Sequence, residues 1–315
     1  MDVQKPEPMR AAHWATLIIL LVAALGLRLW GISGESIWFD ECITYTFLDS
    51  PTLLEFYRGE AIHDPLTVPV YYGSAYLWYN LGFASVVGMR MLSVIFGIAA
   101  IAVVYFFGRR LFGHVGGFTA ALCMSMAKIQ IYMSQEIRNY SLTLLLAAIA
   151  MYALHEASVS GRRKWWAINI AATILVCFTH FFALLLPFAQ GVYLLITRPR
   201  QIKWITLWTA VQLPFYALIP LWIHFVQSGN VEKETAWITW TPISRVFTTY
   251  FNVFAGSLQD ALDHIRRLPW GLPVHHALGA LFLIAGAAFV LYCAHAVWKK
   301  REVCGGYRLA PSLLL

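Results

Sequence analysis

The chain has 315 residues, of which 59% are hydrophobic and only 12% charged, with a formal net charge of +7 and a mean hydropathy of +0.63. This composition lies far from that of soluble domains and excludes both a water-soluble core and a disordered, charge-rich chain. A basic excess can signal nucleic-acid binding, but here the basic residues sit in short turns between apolar runs, which is a topology signal, so no nucleic-acid partner is expected.

Apolar runs of roughly 17 to 25 residues can cross a bilayer as helices. Eight are predicted, at 11–30, 86–107, 115–133, 140–157, 165–180, 181–197, 204–225 and 277–298. The first lacks a convincing small-x-small cleavage site after Leu29-Trp30-Gly31 and reads as an uncleaved span rather than a signal peptide. Basic residues mark every second connection: Lys5 and Arg10, Arg109 and Arg110, Arg162 to Lys164, Arg198 to Lys203, and Lys299 to Arg301. The positive-inside rule then puts the N-terminus in the cytoplasm, provided that 165–197 is two short helices turning near Thr179-His180. The fold class is therefore an all-α integral membrane bundle of about eight transmembrane helices, read as a single domain over 1–315.

The outside connections differ in chemistry. Residues 32–85 carry Glu35, Asp40, Glu41, Asp49, Glu55, Glu60 and Asp64 against one base, Arg58; residues 226–276 are mixed and hold His264, His275 and His276. The aromatic stretches Val70 to Tyr79 and Ile243 to Leu258 are too short or too polar to span and suit helices at the headgroup level. Cysteines at 42, 123, 177, 293 and 304 show no short spacing, so neither a disulfide nor a cysteine metal site is expected. After Lys299-Lys300-Arg301, the run ending in Leu313-Leu314-Leu315 reads as the opening of a further span, and the C-terminus is expected to be truncated.

Three segments carry candidate chemistry. In Trp38-Phe39-Asp40-Glu41 the carboxylates are neighbours, about 100° apart on a helix, so one acts and the other tunes or positions it. A nearby like charge raises a carboxylate's proton affinity and suits a general base; the alternative is an acid pair on the dipole of the helix it opens. In Tyr132 to Ser141, a helix would put Gln135, Arg138 and Asn139 on one face, with Arg138 at the level of a lipid phosphate; the alternative is an arginine snorkelling at a helix end. Lys128, one to two turns deeper in the span 115–133, is an intramembrane charge, and such charges are usually functional. His180, at an outer turn, reads as a metal ligand, a proton carrier or, preferred for want of ligand spacing, a polar cap.

Taken in order, Trp-x-Asp-Glu, Pro69-Val70-Tyr71-Tyr72, Met89-Arg90-Met91-Leu92-Ser93, Tyr-x-Ser-Gln-Glu-x-Arg-x-Tyr-Ser and Thr-His-Phe-Phe resemble the GT-C glycosyltransferases that use polyprenyl-phosphate sugars. The similar group is that of the bacterial protein mannosyltransferases and aminoarabinose transferases (glycosyltransferase family 39-like), over residues 20 to about 255. The resemblance implies a donor sugar on a polyprenyl phosphate and a lipid, protein or glycan acceptor. It also implies an extracytoplasmic site in a bacterial inner membrane and inversion at the anomeric carbon. Asp40 carries over as catalytic base with Glu41 beside it; Arg138, Gln135, Tyr140, Lys128, His180 and Tyr71 are read as substrate-binding residues, Lys128 from its depth in the span and not from the resemblance. Where the family commonly has His-Pro-Pro-Leu-Tyr-Tyr this chain reads Thr67-Val68-Pro69-Val70-Tyr71-Tyr72, and Lys128 stands where a proline is usual. No cofactor follows from these residues, no metal ligand is assigned, and a divalent metal is left open. Readings from other classes are a transporter or flippase, which would need sites near the bilayer midplane and often repeated halves, and an inactive truncated fragment.

Overall fold

The computed structural model describes residues 8–34, 36–64, 66–197 and 202–226, which fall within one compact unit, Gln4–Trp240. Every regular element among them is helical. The order is α1 (Ala11–Leu29), α2 (Phe39–Phe47), α3 (Leu53–His63), α4 (Pro69–Asn80), α5 (Val86–Met126), α6 (Lys128–Ser134), α7 (Tyr140–Ser160), α8 (Arg163–Cys177), a 3₁₀ turn (Phe181–Leu184), α9 (Leu185–Thr197) and α10 (Ile202–Val226). Local chemistry sets several boundaries. The Thr52 and Ser85 hydroxyls accept from the Glu55 and Gly88 amides to cap α3 and α5, Pro69 opens α4, and Gly161, at φ 66°, closes α7.

Among the described residues four helices, α1, α5, α7 and α10, are long and apolar enough to cross a membrane. Three of them match the predicted spans 11–30, 140–157 and 204–225 within a few residues. The fourth, α5, has 41 residues, about 60 Å if straight at ~1.5 Å per residue and twice the ~30 Å hydrocarbon core. It is not straight. Gly113 has φ 75° and ψ −174°, outside the helical region, and the chain doubles back there. A Cβ on Gly117 would stand 2.5 Å from the Tyr105 carbonyl oxygen and 2.8 Å from the Arg109 nitrogen, contacts that only folded-back limbs can make. The predicted spans 86–107 and 115–133 are thus the two limbs of a hairpin, turning at Gly113 beyond the basic pair Arg109-Arg110.

The second limb departs from the predicted continuous helix. Ala127, at φ −64° and ψ 115°, interrupts it, and α6 begins at Lys128. Lys128 is exposed at the first position of this short helix, not set inside an unbroken span. The predicted pair 165–180 and 181–197 appears as α8 and, after a turn at Phe178 to His180, the 3₁₀ turn with α9. The predicted span 277–298, the loop 226–276 with its histidines, Ile243 to Leu258 and the C-terminal tail lie outside the described residues.

Within the bundle α7 packs on both α5 and α8, and α1 packs on α5 through Leu17, Leu20 and Ala24 against Ile101, Tyr105 and Ala121. Ile18, Ile19 and Val22 of α1 are more than half exposed, as expected of side chains that face lipid. The two ends of the bundle differ. One end holds Arg10, the stacked rings of His13 and His114, and the ion pair of Arg110 with Glu156. The other receives α2, α3 and α4, fastened by a core of Phe56, Tyr57, Tyr71, Tyr72, Met89 and Ile137. Burying each such aromatic ring contributes roughly 1.5–3 kcal/mol, which fixes the first loop as a folded cap.

Candidate active site

The site forms where four separate segments meet at the capped end. They are the start of α2, the end of α3 with α4, the connector 135–139, and the turn 178–182. Two backbone-anchored bonds hold them together: the Val70 amide donates to the Phe178 carbonyl at 2.9 Å, and Asn139 Nδ2 donates to the Thr179 carbonyl at 3.0 Å.

Asp40 and Glu41 lie in the first turn of α2, where carboxylates suit the helix dipole. The rotation between neighbours sends them to different places. Glu41 is 1% exposed and bound bidentately by Arg90 of α5, with Nη2 to Oε2 at 2.7 Å and Nε to Oε1 at 3.0 Å. Its Oε1 also accepts the Ile137 amide at 2.8 Å. Arg90 further donates to the Ile32 carbonyl at 2.7 Å, so this pair clamps the α1–α2 connection to α5. Asp40, by contrast, has a side chain 34% exposed, and its Oδ2 stands 3.8 Å from Arg138 Nη2.

Arg138 sits among three carboxylates. Its Nη2 is 3.3 Å from Asp64 Oδ2 and its Nη1 3.8 Å from Glu60 Oε1, in addition to Asp40. Its guanidinium also lies 5.9 Å from the Tyr72 ring centre. Tyr72 donates its hydroxyl to Asp64 at 3.1 Å, and Thr44 donates to Glu60 at 2.8 Å. Burial pushes the Glu60 carboxyl up to about 8, against the opposing effects of the Thr44 hydroxyl and the Arg138 charge. This shift favours the neutral form of Glu60 and so lessens the negative charge that faces Arg138.

The connector 135–139 is not the helix expected from sequence, so Gln135, Arg138 and Asn139 do not share a face. Glu41 takes the Ile137 amide hydrogen that a helical turn would have used, and each side chain goes its own way. Gln135 Nε2 donates to the Arg28 and Trp30 carbonyls at 2.9 and 2.8 Å and so closes the end of α1. Arg138 alone enters the carboxylate cluster. His180 accepts the Phe182 amide on Nδ1 at 3.2 Å, acting as the cap of the 3₁₀ turn, and its ring centre lies 6.1 Å from that of Tyr140. Burial pushes His180 down and so keeps it neutral, with Asp64 opposing. Tyr71 is fully buried with its hydroxyl 3.3 Å from Ser93 Oγ; its neighbour Tyr72 is the tyrosine that reaches the carboxylates.

Sequence reasoning did not single out Glu60, Asp64, Tyr72 or the function of Arg90. Two signals were present. Glu60 follows Phe56 and Tyr57 at helical spacing, which puts an acid on the apolar face of α3. Arg90 lies inside an apolar span, where an ionisable residue needs a partner. Asp64 and Tyr72 gave no such local sign.

Comparison with curated proteins finds no match. The family comparison is informative: the matching segment begins at Pro69, so it takes in Tyr72, Arg90, Arg138 and His180 and stops short of Asp40, Glu60 and Asp64. Residues 69–224 match the family model of the dolichyl-phosphate-mannose-protein mannosyltransferases, and with helices long and apolar enough to cross a membrane this similarity is consistent with a membrane glycosyltransferase of the GT-C type.

Proposed function

We propose that this protein transfers a sugar from a polyprenyl-phosphate donor to the hydroxyl of a lipid, protein or glycan acceptor, on the extracytoplasmic face of a bacterial inner membrane and with inversion. The observation that carries the reading is the division of labour in the carboxylate cluster. Glu41 is consumed by Arg90, Glu60 is buried with its neutral form favoured, and Asp64 is bound by Tyr72 and Arg138. Asp40, with a side chain 34% exposed against 28% for Asp64, is the most open carboxylate of the cluster and stands 3.8 Å from the Arg138 guanidinium. The basic end of the bundle, opposite the site, fits a cytoplasmic face by the positive-inside rule.

In this reading Asp40 accepts the proton of the acceptor hydroxyl as its oxygen attacks the anomeric carbon. The bond from that carbon to the phosphate oxygen breaks in the same displacement, and the electron pair leaves with the lipid phosphate. A single displacement inverts the centre. The departing phosphate needs charge stabilisation rather than a proton, and Arg138 is the cation placed to supply it. Tyr140 and His180 border Arg138, and Gln135 acts from a distance by holding α1 in place. The test is Asp40→Asn in membranes supplied with polyprenyl-phosphate sugars. Loss of a general base lowers turnover roughly 10²- to 10⁴-fold. Transfer that persists at the wild-type rate in a normally expressed variant sinks the assignment.

A further inference from the structure

At the end of the bundle remote from the carboxylate cluster, α8 and α10 begin side by side. Both run towards the cap: the Phe178 carbonyl after α8 accepts the Val70 amide at 2.9 Å, and Trp222 near the end of α10 donates to the Thr67 carbonyl at 3.2 Å. Between these ends, Trp208 Nε1 donates to Asn169 Oδ1 at 2.8 Å. Each of the two residues is the seventh of its helix, counted from Ile202 and Arg163. At ~1.5 Å per residue both helices therefore start about 9 Å beyond that bond, at one level. Trp166 of α8 packs against the cluster that contains Ile205 and Trp208 of α10, which keeps the two starts together.

That level gathers positive charge from two segments about 40 residues apart in the chain. Arg162, Arg163 and Lys164 at the start of α8 and Lys203 at the start of α10 are all exposed. No described carboxylate faces them: between Glu136 and Glu232 the only acid is Glu156, and Arg110 of α5 already holds it. Lys164 Nζ lies 5.2 Å from the Trp165 ring centre, and Trp204, next to Lys203, is 67% exposed. Deeper along the same helices, Ile168 and Leu207 stand exposed as an apolar wall. Unpaired cations above tryptophan, above apolar side chains, match the three zones of an anionic lipid, its phosphate, its interfacial backbone and its acyl chains. A soluble acidic partner would use the cations and leave the apolar wall without a role.

We propose that the paired starts of α8 and α10 form a binding site for an anionic phospholipid of the cytoplasmic leaflet, with Arg163, Lys164 and Lys203 around the phosphate and Trp204 at the headgroup level. The leaflet follows from the orientation proposed above; the binding itself depends neither on that orientation nor on the transferase reading.

The protein, purified and delipidated in a neutral detergent, is titrated with phosphatidylglycerol, cardiolipin and phosphatidylcholine, and the retained lipid is counted by native mass spectrometry. Wild type should retain both anionic lipids in preference to phosphatidylcholine, and less of them as salt is raised. A cation beside the phosphate is worth about fivefold in affinity, so Arg163→Gln with Lys203→Gln should weaken anionic binding roughly 30-fold. Should the pair of changes prevent folding, each single variant reads the same effect at about fivefold. Arg10→Gln removes an exposed charge at the same end, from α1, which packs on α5, and should weaken binding by under about twofold. Equal retention of anionic and neutral lipids by wild type, wild-type binding in the substituted proteins, or an equal loss in Arg10→Gln overturns the proposal.

Discussion

Replacing Arg90 by alanine strips the buried Glu41 of its bidentate partner. Both side chains are almost fully enclosed, at 4% and 1% exposure, with bonds of 2.7 and 3.0 Å between them. The Ile137 amide would remain on Glu41 at 2.8 Å, which is one donor for a full negative charge. The substitution also removes the guanidinium from the Ile32 carbonyl, freeing the connection between α1 and α2. Breaking a buried pair on one side costs about 3–5 kcal/mol, because the surviving charge has no compensation. Scaled as for chains of 150–250 residues, that is a fall in melting temperature of roughly 6–20 °C. The assay is thermal unfolding in detergent micelles, followed by tryptophan fluorescence and by recovery on size exclusion. The double substitution Arg90→Met with Glu41→Leu removes both charges and should regain most of the loss, since the penalty lies in the unpaired charge and not in the missing attraction. A fall under about 2 °C for the single variant, or a double variant as unstable as the single, would refute this account of the clamp.

Glu60 gives a pH dependence of defined sign. Its folded carboxyl titrates near 8 against an ordinary value of 4.5, so the stability it contributes is complete below 4.5 and is lost as pH rises towards and through 8. Glu60→Gln should flatten the melting profile over that window and exceed wild type above it; an unchanged profile contradicts the shift. Arg138→Ala should reduce affinity for a polyprenyl-phosphate sugar more than for the acceptor, as KM values for each would show, and equal effects count against a phosphate role. In the α5 hairpin, Gly113→Ala meets no atom within 4 Å, and its cost is the backbone strain of φ 75° with ψ −174°, a region essentially confined to glycine, about 1–3 kcal/mol. Gly117→Ala drives a Cβ into backbone at 2.5 Å and should lower the melting point further; the reverse order would deny the folded-back packing.

Much of the frame was legible because lipid leaves a chain few choices. Apolar length and the basic turns predicted spans that reappear as α1, the two limbs of α5, α7 and α10, since backbone groups in hydrocarbon must bond within their own helix. A separate signal, aromatic side chains suited to the headgroup level, predicted the helix that became α4. Helical continuity overreached at 115–133, where Ala127 breaks the helix, and at 135–139, where Glu41 takes a backbone amide that helical spacing had assumed for itself.

Within the site, the sequence by itself determined that Asp40 and Glu41 must point apart and that Arg138 belongs to the same end of the bundle, because helix geometry and topology are local or additive properties. Only the tertiary structure decided which carboxylate stays open. Glu41 is closed by Arg90, 49 residues away, and Asp64 is held nearer to Arg138, 74 residues away, than Asp40 is. Glu60 sits on the apolar face of α3 by helical spacing, but the burial that raises its carboxyl comes from the packing of the whole cap. Whether a carboxylate is a base, a clamp or a neutral hydrogen-bonding group depends on solvation and on the charge facing it, and both are set by segments distant in the chain.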